Sequence, residues 1–127
     1  VRAFEGPTIE FLPWWEAFTA GQTLLDELDS IYERVDGALL LLSPESDTTL
    51  RGHVQTIPNL NVLFEFGYFL GCFERQKVGI LRYGDYYLPS DLSGYIHIFG
   101  SSGFKRGRRQ AVGKRTTAEF NRWISAF

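Results

Sequence analysis

One carboxylate, Glu65, has surroundings that suit chemistry. It lies between Phe64 and Phe66, in the middle of an almost wholly apolar stretch from Asn59 to Phe73. Burial of an unpaired carboxylate is costly, so a sequence keeps one in such a place only where it has a partner or a task. Apolar surroundings also raise the pKa of a carboxyl group, as catalytic acids and nucleophiles require.

A structural role for Glu65 is the alternative to a catalytic one. The side chain would then lie at a partly exposed position, or it would form an ion pair with Arg51 or Arg75. Asn61 precedes Glu65 by four residues, so both side chains share one helix face and point toward the start of the helix. That end follows a long polar segment that carries Arg51.

A single carboxylate near aromatic rings can break an N-glycosidic bond. The transition state resembles an oxocarbenium ion, which an anion stabilises or captures covalently. When the leaving group is already cationic, as nicotinamide is in NAD⁺, little acid assistance is needed and one Glu suffices. The sequence offers no competing motif, because G-x-S-x-G, H-E-x-x-H, the P-loop and G-x-G-x-x-G are all absent.

Composition indicates one globular domain over residues 1–127. Of the 127 residues 44 % are hydrophobic and 22 % charged, which excludes a disordered tail. One Cys and two His exclude a disulfide framework, leave little for a metal site and favour a reducing compartment, so we expect a cytoplasmic protein. No apolar stretch is long enough to span a membrane, so no membrane partner is expected.

Basic residues concentrate near the carboxyl end. Residues 92–127 hold seven basic residues and one acidic residue, although the whole chain has a net charge of −2. Most of them fall in a Gly/Arg-rich segment, residues 100–115, which we predict to be a loop. A phosphate or nucleic-acid site is one interpretation, but the acidic chain as a whole argues against nucleic acid as a partner.

The hydrophobic pattern predicts elements that would position these residues. A helix begins near Gly21, with Thr19 as its cap, and four acidic residues, Glu27 among them, occupy its polar face. The continuously apolar run Ala38–Leu42 predicts a central parallel strand covered on both faces. The other predictions are strands at 8–12, 78–81 and 95–99, a long loop at 43–58, and helices at 59–73 (capped by Asn59) and 117–127.

This alternation predicts an α/β fold with a doubly wound parallel sheet. Ligands of such sheets bind beyond the carboxyl ends of the strands. The loops expected at that edge are residues 13–22, 43–58 and 82–94.

Two motifs together resemble a known family. The run from Asn61 to Gly71, N-V-L-F-E-F-G-Y-F-L-G, and the segment from Leu88 to Gly94, L-P-S-D-L-S-G, resemble the TIR-like domains of predicted nucleotide-binding bacterial proteins. That family includes the TIR effector domains of the CBASS TIR–STING and Pycsar anti-phage systems. The stretch from Pro13 to Phe18 is similar to the segment that follows the family's second strand.

The resemblance implies a flavodoxin-like fold and NAD⁺ glycohydrolase activity, with Glu65 at the position of the catalytic glutamate. It implies NAD⁺ as a substrate and no separate cofactor. Stacking on nicotinamide or adenine is one role for the aromatic side chains of the 13–18 segment, and anchoring that segment to the core is the other. The residues that the resemblance suggests for substrate binding are Trp14, Trp15, Phe18, Arg51, Asn61 and Asp91, although Ser90 and Asp91 also suit a structural turn.

The resemblance also carries expectations about assembly. Family members act as homo-oligomers, in which a loop of one subunit completes a neighbour's site, and a cyclic-nucleotide sensor would lie outside this chain. The family's first strand and helix have no counterpart before Thr8, so we expect a domain that is incomplete at its amino end. Two other functions stay open, namely a non-catalytic TIR interaction module and a glycosyl-transfer enzyme that resembles nucleoside deoxyribosyltransferases.

Overall fold

A three-stranded parallel sheet with helices on both faces forms the centre of the protein. The computed structural model describes residues 4–17, 20–92, 94–100 and 112–127, apart from the side chains of Trp15 and Ile96. Strands β1 (Ala38–Leu42), β4 (Val78–Arg82) and β5 (Ile96–Phe99) lie in the order β1-β4-β5, and both pairings are parallel. The predicted α/β fold is therefore confirmed.

Helices cover the two faces of this sheet unequally. Helices α2 (Leu24–Tyr32) and α3 (Leu60–Cys72) enclose a first apolar cluster with Leu40, Leu42, Val78 and Ile80, and a short helix, α1 (Trp14–Ala17), adds to it. Helix α4 (Lys114–Ile124) packs on the other face through a second cluster. In the described ranges, no helix combines the length and the hydropathy that a membrane span requires.

The described sheet does not have β1 at its centre, where the apolar run predicts it. Within the described residues β1 lies at an edge, since β4 occupies the centre with Val78 and Ile80 fully buried. The apolar run from 38 to 42 suggested cover on both faces, but Leu41 is 51 % exposed. A run of apolar residues thus indicates a strand, and it does not by itself fix the order of strands.

Helix α2 begins at a capping box. The Thr23 side chain accepts a hydrogen bond from the Asp26 N–H, and the Asp26 carboxylate accepts one from the Thr23 N–H. The cap is therefore Thr23, and the prediction of Thr19, which lies outside the described residues, is wrong. The amphipathic pattern buries Leu28 and Ile31 as expected.

Helix α3 has the start that the sequence predicts. Asn59 Oδ1 accepts hydrogen bonds from the N–H groups of Asn61, at 2.8 Å, and Val62, at 3.2 Å. These bonds satisfy backbone donors that the first turn of a helix leaves free. Phe66 and Phe69 are buried against the first cluster, which fixes the rotation of the helix about its axis.

Residues 43–58 form a hairpin and not the predicted loop. Strand β2 (Pro44–Leu50) pairs antiparallel with β3 (His53–Pro58) around the two-residue turn Arg51–Gly52, whose φ angles are +50° and +81°. Turns with two left-handed residues match the twist of a hairpin. The sequence signal was present, because β-branched residues flank Arg-Gly on both sides, but Arg is uncommon at a left-handed position.

The predicted strand at 8–12 does not form. The segment has one isolated bridge, between Gly6 and Ile9, and no strand pairing. Phe11 instead packs against Phe120 of α4, with ring centroids 5.9 Å apart. Ile9 and Phe11 therefore pack against the second cluster, and Leu12 against the first, without a ladder of backbone hydrogen bonds.

Helix α4 starts three residues earlier than the predicted 117. Lys114 and Arg115 belong to its first turn, so the predicted basic loop 100–115 is wrong at its carboxyl end, while residues 101–111 lie outside the described residues. Trp123 packs closely on β4 because Gly79 has no side chain. A Cβ at Gly79 would lie 3.1 Å from the indole of Trp123.

Candidate functional site

Glu65 lies in the second turn of α3, close to the carboxyl edge of the sheet. The helix runs antiparallel to β1 and β4, so its first turn is at the edge where these strands end, and Glu65 is about 8 Å along its axis from there. The side chain is half-buried, and this burial raises the pKa of its carboxyl group. Removal from water disfavours the charged form, which is the physical cause of the shift.

The Glu65 carboxylate has no hydrogen bond or ion pair to any of the described residues. The ion pair with Arg51 or Arg75 is not formed. The guanidinium of Arg75 stacks on the ring of Tyr95, with its central carbon 4.6 Å from the centroid. Glu65 is therefore a half-buried acid whose surroundings leave it available to a ligand.

Asn61 shares its helix face with Glu65, one turn nearer the sheet edge. Its side chain is exposed, and its N–H is held by the Asn59 cap. The Asn59 amide also donates to Glu45 Oε1, at 2.9 Å, which ties the start of α3 to the base of the hairpin. Asn61 and Glu65 both lie in α3, four residues apart, and contact of Asn61 with a substrate stays a prediction.

Arg51 is not brought to Glu65. It lies exposed in the hairpin turn. Seven residues separate it from Pro58, which corresponds to about 23 Å along an extended strand. The expectation that Arg51 orients Glu65 depended on a loop folding back over the helix, and the formation of β2 and β3 removes that loop.

The aromatic segment at 13–18 is described in part. Trp14 is half-buried and packs against the first apolar cluster, and Ala17 in the same short helix is buried. This packing supports the anchoring role of Trp14. The Trp15 side chain and Phe18 lie outside the described residues, so their predicted stacking on a base stays a prediction.

Asp91 is exposed in a single 3₁₀ turn, Ser90–Leu92, between β4 and β5. The turn closes through a hydrogen bond from the Leu92 N–H to the Pro89 carbonyl, at 3.0 Å. The carbonyl oxygen of Leu92, the last residue of the turn, lies 2.9 Å from Nε2 of His97. The structural interpretation of this motif is thereby supported, and a ligand contact by Asp91 stays a prediction.

Two polar features near α3 were missed by the sequence reasoning. Tyr68, three residues after Glu65, donates its hydroxyl hydrogen bond to Asp29 of α2, and burial, together with this bond, raises the pKa of the phenol. Glu27 was assigned to the polar face of α2, yet it is only 1 % exposed. Glu27 lies four residues before the buried Ile31 and so shares its helix face, but this spacing could have indicated burial only if the rotation of the helix had been known.

The two described cavities lie at the opposite, amino edge of the sheet. One measures about 180 Å³ and the other about 430 Å³. Glu65 lines neither of them. Their walls come from the residues that precede β1, β4 and β5: Arg75, Gln76, Gly94 and Tyr95 for the smaller, and Tyr32, Glu33, Val35, Asp36, Cys72, Phe73, Glu74 and Lys77 for the larger.

Comparison with known proteins points to one family. The family described as "CAP12/Pycsar effector protein, TIR domain" matches residues 2–100. This range includes α3, Glu65 and the 3₁₀ turn with Asp91. It ends at Gly100, so that α4 lies beyond the matched residues.

Curated relatives agree with this match. A CD-NTase-associated protein 12 of Sphingobacterium faecium is 36 % identical over 89 residues, covering 70 % of this chain and 28 % of the relative. The Pycsar effector protein PaPycTIR of Pseudomonas aeruginosa is 33 % identical over 92 residues, covering 69 % and 30 %. Protein tirC of Dictyostelium discoideum is 32 % identical over 90 residues, covering 61 % and 45 %. The chain thus spans less than half the length of each of these relatives.

Proposed function

The chain belongs to the family of CAP12/Pycsar effector TIR domains, and from that premise we propose that it hydrolyses NAD⁺ at the nicotinamide–ribose bond. The observation that carries the proposal is Glu65, a half-buried carboxylate with a raised pKa and no partner among the described residues. A carboxylate held for structure alone would be paired, because burial without a partner destabilises the fold.

Glu65 would act at the anomeric carbon of the nicotinamide ribose. Its anion would stabilise the positive charge that develops as the C–N bond breaks, or would add to that carbon and be displaced by water. The balanced reaction takes NAD⁺ and water to nicotinamide, ADP-ribose and a proton. Nicotinamide leaves as a neutral molecule, so no acid is needed to protonate it.

Asn61 would assist Glu65 from one turn nearer the sheet edge. Its exposed amide can donate to a ribose hydroxyl and accept from another, which would orient the sugar above the carboxylate. Asp91 and the aromatic residues of the 13–18 segment are the other proposed contacts. Arg51 lies in the hairpin turn, so it would contact substrate only at a point distant from Glu65.

Assembly would complete the site. Glu65 is only half-buried, so walls that exclude water from the reacting sugar would come in part from another copy or another segment. Two relatives carry names that refer to CD-NTases and to Pycsar, which supports a role for this chain as a nucleotide-triggered effector of anti-phage defence. The sensor would be a domain or partner beyond this chain.

Nicotinamide release from NAD⁺ tests the proposal. The assay compares the wild type with Glu65→Gln at high protein concentration and with a crowding agent. Glu33→Gln, a change at the exposed C-cap of α2, serves as the matched control. We expect Glu65→Gln to lower the rate by at least about 100-fold, as expected for loss of a charge that acts in the transition state. Equal rates in the wild type and Glu65→Gln would remove Glu65 from the mechanism.

A non-catalytic interaction module is the second candidate. It is favoured by the exposed apolar face of α3, where Leu60 is 63 % and Phe64 52 % exposed, and by the absence of Glu65 from both described cavities. Exposed apolar patches often mark interaction sites. If no assembly condition yields nicotinamide although the protein is folded, the module is the better description.

A further inference from the structure

Helices α2 and α3 run parallel to each other, with both first turns at the carboxyl edge of the sheet. Each helix precedes a parallel strand, α2 before β1 and α3 before β4, so each runs antiparallel to the strand that follows it. Both helices are capped at this edge, α2 by Thr23 and α3 by Asn59. The seam between α2 and α3 therefore opens toward the edge where parallel sheets bind their ligands.

One side of α3 is turned toward α2. Tyr68 donates its hydroxyl hydrogen bond to Asp29 of α2. Further from the carboxyl edge, the rings of Tyr32 and Phe73 pack with their centroids 4.9 Å apart. Glu65 precedes Tyr68 by three residues, so both side chains leave α3 on the same side. Glu65 thus lies at the seam, one turn nearer the carboxyl edge than the bond between Asp29 and Tyr68.

The register of the two helices places Leu25 at the level of Glu65. Leu25 precedes Asp29 by four residues, so it lies one turn nearer the carboxyl edge on the side of α2 that meets α3. An alkyl side chain there displaces water and offers no hydrogen bond. This neighbour agrees with a carboxyl group whose pKa is raised by burial.

The hydrogen bond at the seam constrains the two helices more strictly than the ring contact does. Apolar packing has no preferred direction, so the Tyr32 and Phe73 rings can shift against each other at small cost. A hydrogen bond weakens steeply as its angle departs from linear. Tyr68 is also partly buried against the first apolar cluster, whereas Asp29 is exposed. The bond therefore ties α2 to a side chain that the core already holds in place.

We propose that Tyr68 is a positioning residue for Glu65. Through its bond to Asp29 it fixes the separation of α2 and α3, so that the Glu65 carboxylate stays partly shielded from water and meets the reacting sugar from a fixed place. This role rests on the proposed hydrolysis of NAD⁺ and gives Tyr68 no contact with substrate. A misplacement of about 1 Å can cost two orders of magnitude in rate, so a small shift of α3 against α2 is sufficient.

Removal of the Tyr68 hydroxyl with the ring retained tests this role. Tyr68→Phe should lower kcat for nicotinamide release about 10-fold or more and change KM by less than about twofold, because it disturbs the reacting carboxylate and no substrate contact. Tyr32→Phe removes a hydroxyl from the same seam and keeps the ring contact with Phe73, so its kcat should match that of the wild type. Equal kcat values in the wild type and Tyr68→Phe, or an equal loss in Tyr32→Phe, would overturn the proposal.

Variants of Asp29 separate the hydrogen bond from the charge. Asp29→Asn keeps an oxygen that accepts from the Tyr68 hydroxyl, and its kcat should stay within about threefold of the wild type. Asp29→Leu removes the acceptor and should lower kcat as Tyr68→Phe does. Equal losses in Asp29→Asn and Asp29→Leu would assign the effect to the charge of Asp29, and no loss in either would leave the bond without a role, so both results count against the proposal.

The pKa of Glu65, measured by NMR titration of its carboxyl carbon, tests the same role without any turnover. In Tyr68→Phe the pKa should fall toward the ordinary value of a glutamate, since a looser seam admits water, and in Tyr32→Phe it should stay raised. An unchanged pKa in Tyr68→Phe would overturn the positioning role even if kcat fell. A wild type that releases no nicotinamide would contradict the proposed function instead, and the comparison of pKa values would then decide the role of Tyr68 alone.

Discussion

Two glutamates on opposite faces of the sheet occupy very different environments. Glu119 of α4 accepts from the Phe99 N–H and from Arg115 Nε, both at 2.7 Å. Burial alone would raise the pKa of its carboxyl group, but these hydrogen bonds outweigh burial and hold the pKa below its usual value. Glu65 of α3 has burial without such bonds, and its pKa is raised.

Glu119 is a carboxylate that holds the fold together, whereas Glu65 is free to interact with a ligand. The charge of Glu119 is used within the fold, where it joins β5 to α4. The charge of Glu65 contributes nothing to the described contacts and destabilises the folded state slightly, because the ion is partly removed from water. A residue of the second kind is the better candidate for binding or catalysis.

Replacement of each glutamate by alanine should give the largest difference in stability between the two sites. Glu119→Ala should lower the free energy of unfolding by about 2 kcal/mol, because it leaves the Phe99 N–H and the Arg115 side chain without their partner. Glu65→Ala should change it by less than about 0.5 kcal/mol. Urea unfolding of both variants measures the difference, and a loss of similar size in the two would mean that Glu65 also has a structural partner.

Loss of a helix cap should separate stability from activity. Asn59→Ala and Thr23→Ala each remove a cap and should each lower the free energy of unfolding by about 1 kcal/mol. Asn59→Ala should in addition reduce nicotinamide release, because fraying of the first turn of α3 disturbs Asn61 and Glu65. Equal activity in the two variants would show that the start of α3 does not position the reacting groups.

The pH dependence of stability should have opposite signs for the two glutamates. Glu119, with its lowered pKa, stabilises the fold above the unfolded pKa, and this contribution is lost as the pH falls through the folded pKa. Glu65, with its raised pKa, lowers stability as the pH rises from the unfolded pKa through the folded one.

Two amide variants make these signs measurable. At neutral pH Glu119→Gln should be less stable than the wild type. Glu65→Gln should be more stable by about 0.5 kcal/mol or less, since the half-buried carboxylate keeps part of its hydration. At a pH below both folded pKa values the two variants should converge on the wild type. Urea midpoints across a pH series give the comparison, and a destabilised Glu65→Gln at neutral pH would contradict it.

Removal of Arg115 should have a much smaller effect than removal of Glu119. Its side chain is 71 % exposed, although it pairs with Glu119 and its guanidinium carbon lies 4.8 Å from the ring centroid of Phe99. Arg115→Ala should cost only about 0.5 kcal/mol, because exposed ion pairs and cation–π contacts are weak. Thermal unfolding of Arg115→Ala and Glu119→Ala together shows how much of the Glu119 contribution comes from its hydrogen bond with the Phe99 N–H. If Arg115→Ala lost as much stability as Glu119→Ala, the contribution would come from the ion pair instead.

Local signals in the sequence predicted the helices and the sheet strands well. The apolar runs at 38–42 and 78–81 and the Asn59 cap depend on short-range preferences, which the sequence displays directly. The choice of Glu65 as the candidate residue came from the same kind of local pattern, a carboxylate within an apolar stretch. Its partial burial and raised pKa agree with the effect that apolar surroundings were expected to have on a carboxyl group.

Long-range features could not be predicted in the same way. The edge position of β1 depends on which strand lies beside it, and the unpaired segment at 8–12 depends on the packing of Phe11 against Phe120. Arg51 was misplaced because a polar stretch with β-branched residues can form a loop or a hairpin. Glu27 was misplaced because the period of a helix does not reveal its rotation against the core.

The hairpin from Pro44 to Pro58 is joined to the start of α3 at two points. Pro58 adjoins the Asn59 cap directly, and the Asn59–Glu45 hydrogen bond couples the base of the hairpin to the same residue. A displacement of the Arg51–Gly52 turn would therefore be passed to the first turn of α3 through Pro58 and through the Asn59–Glu45 bond. The antiparallel pairing of β2 with β3 stiffens the hairpin and would determine how much of that displacement reaches Glu65.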